Sequence, residues 1–340
     1  MARSELTIDL GAVRRNAKVL LAALAGAELW AVVKADGYGH GAVGIAAAAL
    51  GAGATALCTA TVAEALALRR EFPATRILVM GPAADEEIVR ARESRLELTA
   101  SGDRPLPEGI PFHLKLDTGM GRYGLAELPR PPAQVVGLMS HLATADSDAA
   151  FAEQQVARFR EATEPYSGYV RHIANSAATL RLPSARFDAA RCGIALYGLS
   201  PFGTDPAEDG LEPALSWRSE LARVKRLEPG QSTGYGRTFV AERPTWIGIV
   251  PVGYADGIRR DLTGTRVLVA GEPRRVVGTI SMDSFAVELP GKLPLGTPVT
   301  LIGDGLLAEE HARVAHTITY EFVCGINSRP QRARRLVVDA

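Results

Sequence analysis

The sequence predicts an α/β protein in which a (β/α)8 barrel of the TIM type precedes a mainly antiparallel β domain. Three observations carry this prediction. Between residues 11 and 210, eight short strand-like runs alternate with alanine-rich segments of helical periodicity. After Gly210, apolar runs are separated by turn-forming residues, and helical stretches are few. The opening segment at 4–10, SELTIDL, is itself strand-like and comes before the first helix.

The eight strand and helix units allow either a doubly wound sheet or a closed barrel, and eight units in about 200 residues favour the barrel. We therefore predict a barrel domain over 11–210 and a β domain over 211–340, with 1–10 as a candidate strand of the β domain. The predicted barrel strands are AVVK (31–34), ATALCTA (54–60), RILVMG (76–81), LELTA (96–100), FHLKLD (112–117), VVGLMSHL (135–142), YVRHIA (169–174) and FDAARCG (187–193). The β domain is predicted from LARVKRL, TWIGIVPVGY, TRVLVAG, RRVVGTISM, FAVEL and TPVTLIG.

The bulk composition limits the function classes. The 340 residues include 47% hydrophobic and 22% charged side chains, as in an ordinary globular protein with a substantial core. Lys plus Arg equals Asp plus Glu at 38 each, so no overall field recruits nucleic acid or an acidic membrane. The three cysteines form no CxxC pair, which argues against a disulfide framework and a metal site. We expect a cytoplasmic protein that binds a small molecule, with no metal, nucleic-acid or membrane partner.

Lys34 stands at the predicted end of the first barrel strand and is followed by ADGYGHG. Catalytic groups of such barrels lie at the carboxyl ends of the strands. A mouth that excludes water favours the uncharged amine, which can form a Schiff base and move a proton. On this one feature alone, a surface lysine before a glycine-rich turn is the preferred interpretation.

Further polar groups follow the later predicted strands, and we expect them to converge on the same rim. They are His141, Ser176, Arg191 and the backbone amides of Gly193 and Ile194. A hydroxyl and backbone donors at late loops of a barrel are suited to holding a phosphate. Each also has a structural alternative, because the serine is a good helix cap, the histidine a core residue and the arginine an ion-pair partner.

Eight segments occur in order along nearly the whole chain: AVVKADGYGHG, LKLDTGMGRYG, SHLATAD, ANSAATL, RCGIALYG, GYGRTF, VGYADG and ISMD. Together they resemble the family of bacterial alanine racemases. The lysine segment combined with TGMGR and ISMD at these separations is highly specific. The resemblance implies a barrel that binds pyridoxal 5'-phosphate, a following β domain, and an isomerase that interconverts L-alanine and D-alanine to supply D-alanine for peptidoglycan.

Racemisation needs a base on each face of the α-carbon. The resemblance implies that Lys34 holds the cofactor and serves one face, and that Tyr235 serves the other. The tyrosine comes from the second subunit of a homodimer. His141 bonds this tyrosine and Arg191, which faces the pyridine nitrogen of the cofactor. We expect positive charge from His141 and Arg191 to help the phenol act as a base.

Further roles also follow from the resemblance. Arg122 contacts the cofactor's phenolic oxygen and the substrate carboxylate, and the backbone amide of Met282 from the partner subunit helps to bind that carboxylate. Lys115 is a candidate for a carbamate that steadies the arginine. The phosphate contacts are Tyr38, Ser176, Gly193 and Ile194, and the site entrance is lined by Tyr254 and Asp283.

Ser328, in YEFVCGINSRPQR, departs from the family pattern. Its relatives carry a tyrosine at this place that touches the phosphate and braces the catalytic tyrosine. A serine keeps a hydroxyl but leaves extra room, so we expect secondary activity on serine.

Two alternatives remain at this stage. A pyridoxal-phosphate amino-acid decarboxylase shares the fold but typically places an acidic residue at the pyridine nitrogen, where this sequence has Arg191. A non-catalytic pyridoxal-phosphate carrier is built on the same barrel but generally lacks the β domain and Tyr235. Inversion of optically pure L-alanine by the purified protein would distinguish a racemase from a decarboxylase and from a non-catalytic carrier.

Overall fold

The structure is a computed structural model that describes residues 3–102 and 106–340. Two compact units divide the chain. The unit that we call the β unit contains the residues up to Gly11, Gly203–Asp205 and Pro213–Ala340. The unit that we call the barrel unit contains Ala12–Phe202 and Pro206–Glu212. Strand β1 (Glu5–Asp9) belongs to the β unit, and helix α1 (Leu10–Leu24) follows it directly.

Within the described residues, eight parallel strands close the barrel in chain order. They are β2 (Glu28–Val32), β3 (Ala56–Thr59), β4 (Arg76–Val79), β5 (Glu97–Ala100), β6 (Phe112–Lys115), β7 (Val135–Met139), β8 (Val170–His172) and β9 (Ala189–Cys192). The barrel closes because β2 pairs with both β3 and β9. Each strand overlaps one of the eight predicted runs, and the predicted fold class is confirmed.

Helices follow most of the barrel strands. They are α2 (Lys34–Tyr38), α3 (Ala42–Gly51), α4 (Val62–Glu71), α5 (Asp85–Glu93), α6 (Ala149–Thr163) and α7 (Ser176–Arg181), with 3₁₀ turns at Pro183–Ala185, Ile194–Tyr197 and Pro206–Asp209. The first barrel strand begins and ends earlier than predicted. The polar Glu28 opens it because its carboxylate accepts hydrogen bonds from Trp30 Nε1 (2.7 Å) and Thr55 Oγ1 (2.6 Å). Lys34 therefore lies beyond the strand.

The β unit is built on a nine-stranded sheet, counted over the described ranges, in the order β11-β14-β17-β16-β15-β18-β10-β1-β19. Its strands are β10 (Leu215–Glu220), β11 (Arg223–Leu227), β14 (Thr245–Val250), β15 (Arg266–Val269), β16 (Glu272–Val277), β17 (Phe285–Leu289), β18 (Pro298–Ile302) and β19 (Arg334–Val338). A separate ribbon pairs β12 (Ser232–Thr233) with β13 (Phe239–Val240). Strand β1 runs antiparallel to β10 and parallel to β19.

Strands β10, β12, β13 and β19 and two helices of the β unit lie outside the predicted runs. Strand β10 buries only Leu215 and Trp217 and exposes Arg218, and β19 begins with two arginines. Helices α8 (Ala308–Val314) and α9 (Thr319–Cys324) are short, and a 3₁₀ turn covers Arg260–Leu262. No helix in the described residues is both long and apolar enough to cross a bilayer.

Candidate active site

Lys34 begins a left-handed turn directly after strand β2. Ala35, Asp36 and Gly37 have φ of 54°, 51° and 60°, and Tyr38 has φ of 52°. A left-handed turn costs about 1–2 kcal/mol for each residue that carries a Cβ. Such strain persists only where surrounding contacts enforce it, and it is concentrated at functional sites. The half-buried lysine is thus held on a strained but ordered segment at the carboxyl end of the barrel.

Positive charges gather around Lys34. Lys115, the last residue of β6, is 5% exposed. Burial, together with the charges of Arg191, Arg122 and Lys34, lowers the pKa of its amine to about 8. Asp117 acts in the opposite direction on this amine. Three of the predicted cationic residues, Lys34, Arg122 and Arg191, thus lie close enough to Lys115 to interact with it electrostatically.

Arg191 lies within strand β9 and is buried, with 4% of its surface exposed. Its guanidinium donates to the carbonyl oxygens of Ser140 (2.7 Å) and His172 (3.0 Å) and to the Nδ1 atoms of His172 and His141. Burial lowers the pKa of Arg191 to about 10, so it remains a cation near neutral pH. No carboxylate pairs with it among the described residues. A buried cation with only neutral acceptors favours an electron-rich ligand.

His141 is neutral in this arrangement. Its Nδ1 lies 3.4 Å from Arg191 Nη2, and an arginine can only donate, so Nδ1 accepts and Nε2 carries the proton. Burial lowers the pKa of His141 to about 3, with help from the charges of Arg191 and Lys115. The expectation that this histidine supplies positive charge is therefore wrong. The charge comes from its cationic neighbours.

A chain of hydrogen bonds runs from Arg191 into the barrel interior. Because Nδ1 of His172 accepts from Arg191, its Nε2 donates to Nδ1 of His113 at 2.8 Å. Nε2 of His113 then donates to Glu97 Oε2, also at 2.8 Å. Burial lowers the pKa of both histidines. Burial alone would raise the pKa of Glu97, but the hydrogen bond from His113 and the charge of Arg76 lower it overall.

The sequence reasoning did not identify His113, His172 or Glu97. The available signal was a glutamate or histidine within the predicted strands at 96–100, 112–117 and 169–174.

Backbone amides converge on Ser176, which is 3% exposed at the start of α7. Its Oγ accepts from the amides of Gly193 (3.0 Å) and Ala195 (3.3 Å). The alternative reading of Ser176 as a helix cap is wrong, because Asn175 caps the helix by accepting from Ala178 N at 3.0 Å. A Cβ built on Gly193 would lie 2.4 Å from Tyr38 Oη, so a glycine lets the backbone approach this hydroxyl. Ile194 is fully buried next to it.

The remaining predicted site residues lie in the β unit. Tyr235 is 71% exposed between Gly234 and Gly236, which have φ of 78° and 72°. Thr279 holds this loop by bridging to Tyr235 and donating to its carbonyl oxygen at 2.9 Å. The tyrosine hydroxyl is therefore presented on a tightly turned, exposed loop.

Two further loops of the β unit meet one another. Tyr254 N donates to Ser281 O at 3.1 Å, and Ala255 N donates to Met282 O at 3.0 Å. Both Tyr254 and Met282 are exposed, at 45% and 51%. The exposed Asp283 accepts from Arg332 at 2.6 Å, and this hydrogen bond lowers the pKa of its carboxyl.

Ser328 follows Asn327, whose side-chain amide donates to Ala255 O at 3.0 Å. Its Oγ accepts a hydrogen bond from Arg335 Nη2 at 2.7 Å. The hydroxyl thus has an internal partner, which the sequence reasoning did not foresee. Among the described residues, no cluster of His, Cys, Asp or Glu could hold a metal ion.

Two family models cover most of the chain. The model described as alanine racemase, N-terminal domain, matches residues 8–201, and the one described as alanine racemase, C-terminal domain, matches 214–334. The alanine racemase of Geobacillus stearothermophilus is 41% identical over 96% of this chain and 92% of its own length.

Solved structures are also similar over the full length. The alanine racemase of E. faecalis has a TM-score of 0.91 and 34% identity, covering 99% of this chain and 98% of that one. The alanine racemase of Bartonella henselae, described with covalently bound pyridoxal phosphate, has a TM-score of 0.88 and 26% identity over 98% and 99% of the two chains. The chain therefore belongs to the alanine racemase family and is an isomerase, an amino-acid racemase.

Proposed function

We propose that the chain interconverts L-alanine and D-alanine by a two-base mechanism, with pyridoxal 5'-phosphate held at Lys34 and Tyr235 as the second base. The observation that carries this proposal is the buried Arg191, whose hydrogen-bond acceptors are all neutral. The charges of Arg191, Lys34 and Arg122 all act on Lys115. Such a site is suited to an anionic ligand that also offers an unprotonated ring nitrogen.

The residues present fit this cofactor. The amides of Gly193 and Ile194 and the hydroxyls of Ser176 and Tyr38 are the donor types that a phosphate needs, and Gly193 lies next to both hydroxyls. Arg191 suits the pyridine nitrogen, since a guanidinium can donate a hydrogen bond without giving up its proton. When bound, the cofactor withdraws electrons from the α-carbon of an attached amino acid and so makes its proton removable.

The chain's own groups then move the proton. The amine of Lys34 takes or returns it on one face of the α-carbon. On the opposite face we assign this step to the hydroxyl of Tyr235 of the partner subunit in a homodimer. The exposure of Tyr235 on its loop supports a role outside its own subunit.

His141 links the two sets of residues in this proposal. Its Nδ1 is occupied by Arg191, so the proton on Nε2 is the one it can donate to the phenolate of Tyr235. The neutral histidine therefore stabilises the phenolate by a hydrogen bond, and Arg191 supplies the charge behind it.

Substrate binding uses a separate pair of groups. Arg122 makes no ion pair within the described part of the chain, which leaves its guanidinium available for the substrate carboxylate. The backbone amide of Met282 of the partner subunit completes this contact, and Tyr254 and Asp283 line the entrance. Because the pKa of Lys115 is about 8, part of its amine is uncharged near neutral pH and can add to carbon dioxide to give a carbamate, releasing one proton.

We further propose that the enzyme acts in the cytoplasm and supplies D-alanine for peptidoglycan, with serine as a secondary substrate because of Ser328. Among the described residues, Cys58, Cys192 and Cys324 form no disulfide, which is consistent with a reducing compartment.

Borohydride reduction tests the assignment of Lys34. We expect the protein incubated with pyridoxal phosphate to show a visible absorbance band and to carry a reduced label on the peptide containing Lys34. Lys34→Ala should lose both. A colourless wild type, or a Lys34→Ala variant labelled at the same peptide, would contradict the proposal.

A further inference from the structure

The left-handed turn that carries Lys34 is bonded to a carboxylate from a different barrel element. Ala35 N donates to Glu64 Oε1 at 2.7 Å. Glu64 is the third residue of α4, the helix that follows the neighbouring strand β3. The bond therefore connects the residue next to Lys34 with the adjacent βα unit of the barrel.

The second oxygen of Glu64 is also engaged. Oε2 accepts from Ala60 N at 2.9 Å and from Thr61 N at 3.2 Å, while Thr61 Oγ1 accepts from Glu64 N at 3.2 Å. This is a capping box, which fixes the rotamer of the glutamate at the start of α4. The capping box thus orients Oε1 towards the turn, and a helix-capping role alone does not require the bond to Ala35.

The turn needs such an anchor. Its residues are strained, and the hydrogen bonds within it, such as Gly39 N to Ala35 O at 3.0 Å, are local. Asp36 Oδ1 accepts from Ala42 N at 3.0 Å and so ties the far end of the turn to the start of α3. Glu64 holds the near end, one residue from Lys34.

We propose that Glu64 is a positioning residue, which fixes the backbone at Lys34 so that its amine meets the cofactor and the α-carbon in one orientation. This inference rests on the proposed role of Lys34. Side chains that act on a reacting carbon must be held closely, and a displacement of about 1 Å can cost on the order of 100-fold in rate.

Two substitutions of Glu64 separate its two functions. Glu64→Gln keeps the length but has one acceptor oxygen, which cannot serve both Ala35 and the capping amides. Glu64→Asp keeps both oxygens near the helix start but withdraws them from Ala35 by one methylene. The matched control is Thr61→Val, which breaks the capping box and leaves the bond to Ala35 intact.

Three measurements are made on the full-length holoenzyme: the rate of cofactor release after dilution, kcat and KM for alanine, and hydrogen exchange of the peptide spanning 34–41. For both Glu64 variants we expect release at least about 10-fold faster, kcat lower by about 10-fold or more with KM changed less than about 3-fold, and faster exchange of the peptide. Thr61→Val should remain within about 2-fold of wild type in all three, whatever its loss of stability. If Glu64→Gln does not fold, Glu64→Asp decides by the same criteria.

Glu64 has no positioning role if its variants match Thr61→Val in release, kcat and exchange. That outcome differs from failure of the proposed function, in which the wild-type protein itself carries no borohydride label at Lys34.

Discussion

Arg191 illustrates how single residues set the chemistry of this site. It is a buried cation whose acceptors are backbone carbonyls and histidine nitrogens. An acidic partner at the same place would favour a protonated ring nitrogen and a stronger electron sink. With the proposed cofactor bound, the arginine would leave the ring nitrogen unprotonated and would restrain electron withdrawal, which would suit proton exchange at the α-carbon.

Tyr235→Phe tests the second base. The change removes the hydroxyl and keeps the ring, so we expect racemisation to fall by on the order of 100-fold or more while cofactor binding is little changed. Initial rates in both directions and the cofactor absorbance band measure the two effects. Near-normal turnover in either direction would show that another group serves this face.

Ser328→Tyr tests the specificity of the site. If Ser328 stands where relatives carry a tyrosine, the wild type should racemise L-serine measurably, because an apolar pocket rejects an added hydroxyl by only about 100-fold. The substitution should shift the kcat/KM ratio back towards alanine. It also removes the acceptor of Arg335, so Ser328→Ala serves as the control for that lost hydrogen bond. An unchanged alanine-to-serine ratio in Ser328→Tyr would disprove the placement.

At the scale of elements, the turn α2 is a tightly constrained part of the barrel rim. Gly37 has φ of +60°, and a Cβ there would lie 3.2 Å from Ala42 N and Cα. The turn is thus tight against the next helix as well as left-handed. This explains why a segment of five residues can be ordered without regular helical dihedrals.

Gly37→Ala should lower the free energy of unfolding by about 1–2 kcal/mol and weaken cofactor binding, since the new methyl group is both strained and crowded. Gly51→Ala is the matched control. Gly51 is the last residue of α3 and has open space around it, so alanine there should raise stability by about 0.5–1 kcal/mol. Urea unfolding of the three proteins measures the difference. Equal effects of the two substitutions would contradict the strain argument.

The elements that could be predicted from sequence are those with a continuous apolar pattern. Strands such as β3 and β4 are buried on both faces and read as apolar runs. Strand β19 could not be recognised, because its pattern shows exposed arginine and valine and its ordering depends on pairing with β1.

The candidate site, too, could be predicted from the sequence only in part. The rim residues follow from strand ends and from the family motifs, whereas the chain from Arg191 to Glu97 depends on register between β5, β6, β8 and β9. Thr61 and Glu64 have the spacing of a capping box and could have been predicted as such. The bond from Ala35 N to Glu64 Oε1 has no sequence signal, because the two residues are 29 positions apart.

Across the whole molecule, buried histidines couple stability to pH. Burial lowers the pKa of His113, His141, His172 and His311. As the pH falls below the ordinary value of about 6.5, the unfolded chain binds protons that the folded chain does not. The stability that these neutral histidines contribute is present above pH 6.5 and is lost as the pH falls towards their folded pKa values.

We therefore expect the free energy of unfolding to fall steadily between pH 7 and pH 5. Each such histidine contributes at most about 1.4 kcal/mol per pH unit to the slope of this decrease. His311→Gln, in the β unit and away from the candidate site, should reduce this slope by one histidine's share. Urea titrations at several pH values measure it. A flat pH dependence of the wild type would refute the neutral, buried state of these side chains.

The pairing of β1 with β10 and β19 has a consequence for biosynthesis. Glu5 leaves the ribosome early, but Ser216 and Leu336, which flank Thr7 in the sheet, are translated about 210 and 330 residues later. At roughly 5–20 residues per second, β1 waits tens of seconds for its neighbours. The barrel strands, which pair in chain order, can assemble during that delay. Leu6 and Ile8, fully buried in the finished sheet, therefore lack their packing partners on the nascent chain during this time.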